Sequence, residues 1–184
     1  MAKTKEKIKK EEIIENHLDE NIAKWFVIYT KYKREKIVSK QLQEKNIEVY
    51  LPLVKHTRRY VRKVREVELP LFCCYLFVKI VKDEYLAVLQ TENVVKFVRI
   101  AKNLIAIPEE EINTVRLVVG ENMELTAEPG KFREGDEVEV IGGRLTGLRG
   151  RFVEEHGKKE FVIELSNMGY SLRINIDAKL LRKV

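Results

Sequence analysis

Apolar residues recur along this chain with two periods, and the switches between them mark its elements. Lys24 to Thr30 reads Lys-Trp-Phe-Val-Ile-Tyr-Thr, a β-branched and aromatic run that predicts a strand. From Arg34 to Lys45, Val38 and Leu42 stand four apart with Ile37 beside them among good helix formers, so a helix follows and Asn46 stops it. Glu48 to Leu51 predicts a second strand, ended by Pro52. Between Lys55 and Glu68 the spaced apolar positions Tyr60, Val61, Val64 and Val67 sit among basic residues, the pattern of a protruding β-hairpin. Leu71 to Val81 is a long apolar run and predicts a central strand buried on both faces. A helix over Asp83–Gln90 and a strand over Val94–Arg99 come next. Pro108 then opens a last helix with Glu109, Glu110 and Glu111 in its first turn. Strands and helices alternating in this way predict an α+β sandwich with an antiparallel sheet.

After Gly120 the pattern changes. Residues 120–132 are poor in large apolar side chains and carry Glu, Asn, Thr, Pro and Gly, the composition of a linker. Residues 133–184 hold short runs at Glu137–Ile141, Leu148–Glu155, Glu160–Leu165, Tyr170–Ile176 and Leu180–Lys183 between glycine turns, which predicts a small SH3-like β-barrel. Residues 1–21 are mostly Lys and Glu; Ile14 and Leu18 suit a short amphipathic helix, but so dense a charge favours a disordered or frayed tail. The expected organisation is an extension (1–21), an α/β domain (22–119), a linker (120–132) and a barrel (133–184).

Charge and candidate chemistry narrow the partners. Net charge is +6, yet 13 Lys and Arg against three Glu between Lys24 and Arg65 put ten net positive charges in that segment. The remainder is therefore net negative. Such a concentration favours a phosphate backbone as partner, while a solvated lysine-rich face explains the same count. Cys73 and Cys74 are adjacent, unsuited to an ordinary disulfide, and read as buried strand cysteines. His17, His56 and His156 lie far apart with no Cys-x-x-Cys partner, so neither a metal nor another cofactor is expected. No catalytic triad, phosphate loop or acid–base pair stands out, which argues against an enzyme. With no apolar run of bilayer length and no signal-peptide core, the expected location is the cytoplasm.

The segment Gly135–Val153, with Val138 and Val140 alternating and glycines at 143, 147 and 150, resembles a KOW motif. Upstream, three stretches resemble the NusG N-terminal domain in order and spacing. They are Trp25-Phe26-Val27-Ile28-Tyr29-Thr30-Lys31, Glu35-Lys36 leading the helix, and Tyr50-Leu51-Pro52. Pro70-Leu71-Phe72-Cys73-Cys74-Tyr75-Leu76-Phe77-Val78 resembles that domain's central strand. Asn93 to Arg99, and Ile107-Pro108 with Glu111-Ile112, resemble its closing segments. The chain is identified by this resemblance as a member of the NusG family, nearer to the specialised RfaH and UpxY type, and Cys73-Cys74 replaces the family's Pro-Gly or Pro-Asn.

The resemblance implies a monomeric, non-catalytic factor that grips the clamp helices of the largest RNA polymerase subunit and favours processive, antiterminated elongation on selected operons. Its polymerase surface would include Trp25, Tyr75, Phe77 and Phe97. Strand aromatics fill cores as readily, Trp25 above all, but Tyr75 and Phe77 stand i,i+2 and share a face. Lys31, Tyr32, Arg34, Gln41 and Thr91 match positions that read non-template DNA, although Glu92 stands where the paralogue has arginine. Arg58, Arg59, Arg62, Lys63 and Arg65 of the hairpin would reach upstream duplex DNA. In the barrel, Met168 would contact a small-subunit ribosomal protein or Rho. Strand propensity at Phe161-Val162-Ile163 and Ser171–Ile174 argues against refolding of this barrel into a helical hairpin. A KOW-type RNA-binding or ribosome-associated protein is the alternative, and it would depend on the arginines rather than on Tyr75, Phe77 and Phe97.

Overall fold

The computed structural model describes residues 14–60, 63–100, 102–121, 125–129, 135–155, 158–165, 169–176 and 178–184. Its first sheet forms from β1 (Lys24–Thr30), β2 (Glu48–Tyr50), β5 (Tyr75–Ile80) and β6 (Val94–Phe97), in the order β2-β5-β1-β6. Register pairs Val27 with Phe77 and Ile28 with both Leu76 and Phe97, so alternate residues go to opposite faces. One face carries Phe26, Ile28, Leu76, Val78, Ile80 and Phe97. It packs on Val38 and Leu42 of α1 (Glu35–Glu44) and Val88 of α2 (Tyr85–Leu89). The other face carries Trp25, Val27 and Phe77 and packs on Ile112, Val115 and Val118 of α3 (Glu109–Gly120). Helix α3 can do this because its apolar positions recur at three-residue spacing along one side.

The basic segment forms the expected hairpin. β3 (Leu53–Tyr60) pairs with β4 (Lys63–Pro70) in unbroken register from Leu53↔Pro70 to Tyr60↔Lys63. The predicted central strand, however, is shorter than the apolar run that suggested it. Residues 71–74 form a turn and the strand proper is Tyr75–Ile80. Cys74 adopts φ 66°, in the left-handed region, which breaks the extended path before Tyr75.

Two other expectations need correcting. Residues 14–19 of the extension are neither helical nor loose. Asn16 bridges Leu104 in parallel, His17 N–H donates to the Leu104 carbonyl at 2.9 Å, and Leu18 packs against the first core. Main-chain hydrogen bonds to the 103–106 segment, with one half-buried leucine, outweigh the charge that suggested a free tail. Residues 1–13 lie outside the described residues. The expected linker likewise contains a strand, β7 (Leu125–Pro129), which pairs with β11 (Tyr170–Ile174) from Leu125↔Ile174 to Pro129↔Tyr170. Its backbone completes the sheet edge without needing large apolar side chains.

The second sheet follows the order β12-β8-β9-β10-β11-β7. Its remaining strands are β8 (Asp136–Val140), β9 (Arg149–Glu155), β10 (Lys158–Leu165) and β12 (Leu181–Lys183). Val138, Val140, Leu145, Phe161, Ile163, Leu165, Leu172, Ile174 and Ile176 fill the interior. Gly150 is required where β9 crosses β10: a Cβ there would stand 2.5 Å from the Val162 carbonyl oxygen and 2.8 Å from the Phe161 ring.

Candidate functional site

Four aromatics were expected to form one surface, and the register divides them. Trp25, Tyr75 and Phe77 share the α3 face, but Phe97 pairs with Ile28 and belongs to the opposite one. There it stacks on Tyr85 at 4.5 Å and meets Phe26 edge-on at 6.4 Å. Phe77 is fully buried between Tyr50 and Phe72, each with its ring 5.9 Å away. Trp25, Phe77 and Phe97 therefore present no free surface in this arrangement; they are core. Tyr75 alone of the four is half-buried.

Trp25 is held by polar groups on α3. Its indole Nε1 donates to Glu109 Oε2 at 2.8 Å, and Lys79 Nζ donates to the same oxygen at 3.0 Å. The Lys79 ammonium lies 5.6 Å from the indole centroid and the Arg116 guanidinium 5.3 Å, with Arg116 also 5.0 Å from the Tyr50 ring. The Lys79 hydrogen bond holds the Glu109 carboxyl below its ordinary value, against the opposing effect of desolvation, and the Trp25 hydrogen bond adds to it. A depressed carboxylate stabilises the fold above its unfolded pKa, and that contribution is lost as pH falls through the lower folded value. Because Trp25 is the sole tryptophan, its emission should report this change. We expect a fluorescence transition with a midpoint below 4.5, the ordinary value, that Glu109→Gln removes. A midpoint at or above that value would contradict the assignment.

Around Tyr75 the surface is apolar and aromatic. Val27, Val98, Ile100, Ile105 and Ile107 line a groove with Tyr75, and Tyr170 of the barrel closes one side of it. The Tyr170 ring meets Tyr75 edge-on at 5.7 Å and Phe72 at 5.1 Å. Burial, first, and a hydrogen bond with Tyr75 raise the Tyr170 phenol above its ordinary value. Tyr29 completes the cluster, 5.4 Å from Tyr75. The groove is thus shared between the α/β domain and the barrel, through one strand-end tyrosine.

The turn before Tyr75 carries the two cysteines. Their sulfurs lie 3.6 Å apart, Cys73 exposed and Cys74 buried. Burial, first, and the neighbouring Cys74 thiol push the Cys73 thiol up to about 11. The Cys74 N–H donates to Glu35 Oε1 at 2.8 Å, so the first residue of α1 anchors the turn.

The expected nucleic-acid residues separate. Lys31, Tyr32 and Arg34 are exposed together on the β1–α1 loop, with Tyr32 65% exposed and Lys33 Nζ 5.0 Å from its ring centroid. Gln41 is half-buried on α1, its Oε1 buried without a hydrogen-bond partner among the described residues. Thr91 is 4% exposed, and its hydroxyl donates to the Ala87 carbonyl while accepting from Lys45 Nζ, each at 2.8 Å. Its polar group is fully engaged, which removes it from a DNA-facing set. On the hairpin Arg65 is exposed and its register partner is Arg58; Arg59 and Lys63 lie in the same strands. Arg62 and Met168 lie outside the described residues. No helix among the described residues is long and apolar enough to cross a membrane.

The family model described as transcription termination factor nusG matches residues 23–116, and the chain belongs to the NusG family. Factors of this family act in transcription elongation and are non-enzymatic. The structure reported as "Domain interaction in Thermotoga maritima NusG" is 21% identical, covers 88% of this chain and 97% of its own, and superposes with a TM-score of 0.52. The chain shares its fold. A crystal structure of the MjSpt4:Spt5 complex in conformation B is 18% identical over 87% of this chain and 96% of its own, with a TM-score of 0.30. No curated protein matches the chain.

Proposed function

We propose that this chain binds the clamp helices of RNA polymerase through the apolar groove around Tyr75 and thereby favours processive, antiterminated elongation, on selected operons. The observation that carries this reading is the groove itself: five apolar side chains around a half-exposed tyrosine on the domain that the family model matches, with Tyr170 of the barrel beside them. An amphipathic partner helix laid there would bury apolar area against a rigid sheet. Binding would act by selecting one state of the polymerase, with no chemical step in the factor.

Nucleic acid would add affinity from two sides. Lys31, Tyr32 and Arg34 form an exposed basic and aromatic tip suited to stacking and phosphate contact with single-stranded DNA. Arg58 and Arg65 are direct cross-strand partners in the hairpin. The hairpin sequence is rich in arginine and lysine, and a phosphate backbone is the partner that such a concentration of positive charge attracts. The barrel, whose expected contacts are a ribosomal protein or Rho, would also regulate access: Tyr170 occupies part of the groove that the polymerase would take.

The test is a titration of the protein onto a reconstituted elongation complex, with the salt concentration stated, beside a Tyr170→Ala variant. Two aromatic contacts at about 0.5–1.5 kcal/mol each hold the barrel on the groove. Their loss, about 1–3 kcal/mol in all, should tighten apparent binding by up to about 150-fold, because less of the protein is in the covered form. Weaker binding by Tyr170→Ala would overturn the covering role, and absence of wild-type binding would overturn the polymerase reading.

A further inference from the structure

The turn that precedes Tyr75 holds two thiols and a buried carboxylate in one small volume. Ligand atoms of Glu35, Cys73 and Cys74 all lie within 4.8 Å of one another. In an extended strand adjacent side chains point to opposite faces, and two neighbouring cysteines could not chelate one ion. Here the left-handed φ of 66° at Cys74 turns the chain and brings the sulfurs 3.6 Å apart on one side. Thiolates bound to one tetrahedral zinc at about 2.3 Å stand roughly 3.8 Å from each other. The sulfur spacing of the turn thus nearly equals that of a metal-bound pair, before any ion is added.

Glu35 is the second, independent observation. It is 4% exposed, and no described ion pair engages it. A buried carboxylate without a cation is costly, and a cation is what would offset that cost. Its Oε1 accepts the Cys74 N–H at 2.8 Å, which fixes the carboxylate's orientation, and an ionised carboxylate so held keeps lone pairs for a cation. Cys73 is the exposed member and leaves a route for the ion and a fourth position for water. Two soft sulfurs and one carboxylate suit a borderline d10 ion and do not suit magnesium or calcium, which take oxygen ligands.

We propose that Cys73, Cys74 and Glu35 form a binding site for a thiophilic divalent cation of the zinc class, with two thiolates, one carboxylate and an open fourth position. The bound ion would cross-link the first turn of α1 to the turn that presents Tyr75. Formation of each metal–sulfur bond releases one proton to solvent, with no change in oxidation state.

The experiment uses the full chain, reduced and kept free of oxygen, titrated with Co2+ as a spectroscopic probe and then with Zn2+ in competition. Wild-type protein should take up one equivalent, with thiolate-to-cobalt charge-transfer absorption and the intense visible bands of tetrahedral cobalt, and Zn2+ should abolish both. Cys73→Ser, at an exposed position, should keep the fold by circular dichroism and lose the charge-transfer absorption. Glu35→Gln should keep the sulfur signature but bind at least about tenfold more weakly. Cys74 is buried, so its part is read in the wild type instead, where Zn2+ should protect both thiols from alkylation. Two outcomes would overturn the site: no saturable thiolate absorption, or full binding by Cys73→Ser.

Discussion

Tyr75→Ala is expected to weaken binding to the elongation complex by about 2 kcal/mol, or some 30-fold, while leaving the fold intact. Tyr75 supplies the phenol ring at the middle of the groove, between Val27 and Ile107 on one domain and Tyr170 on the other. Half-buried aromatics in such positions bury much area and freeze few rotors on binding, which makes them anchors. Truncation also frees the groove from Tyr170, so part of the loss is masked by easier release of the barrel. The barrel is released in both Tyr170→Ala and the double variant Tyr75→Ala/Tyr170→Ala, so the loss between those two is free of that compensation and should exceed the loss from wild type to Tyr75→Ala. A titration in which Tyr75→Ala binds within twofold of wild type would place the polymerase contact elsewhere.

Phe77→Ala should behave differently, because Phe77 is core. Its ring is fully buried, stacked near Tyr50 and edge-on to Phe72. Truncating a buried phenylalanine costs about 3–5 kcal/mol, from lost transfer energy and the cavity left behind. That is a large share of the roughly 5–15 kcal/mol that holds a domain together. Urea denaturation should therefore show a much lower midpoint, and binding to polymerase should fall in proportion to the folded fraction. If Phe77→Ala kept its midpoint within about 1 kcal/mol of wild type yet lost binding, Phe77 would be a contact and its burial a property of the covered state only. The pair of variants separates anchor from support, two roles that residues standing i,i+2 on one strand can divide.

The Tyr75–Phe77 pair also shows how far the pattern of residues carries. Period two placed both on one face, and the register with Val27 agrees. Which side of the sheet received Phe97 was not legible, because it follows from the pairing of β6 with β1, including a shift between Tyr29 and Thr30. A run of four residues has no internal mark of its partner's register. Likewise the apolar stretch from Leu71 to Val81 looked like one strand, since nothing local announced a left-handed residue at Cys74. The Glu35–Cys74 hydrogen bond that secures this turn spans two distant segments.

By itself the sequence determined the local elements: the strand at Lys24–Thr30, the helix after it, the basic hairpin, the helix opened by Pro108 and the strands of the barrel. Each has a hydrophobic period or a turn residue within a few positions, and local backbone preference acts over that range. It also carried the family resemblance, which rests on the order of those elements and the aromatics within them. Only the tertiary structure decided what is paired across distance. It docked residues 14–19 on the 103–106 segment, made a sheet edge of Leu125–Pro129, and buried Thr91 under Lys45. It also laid Tyr170 against Tyr75 and gathered Glu35 with two cysteines. These contacts join residues far apart in the chain through main-chain hydrogen bonds or single side chains, and neither leaves a periodic trace in the sequence.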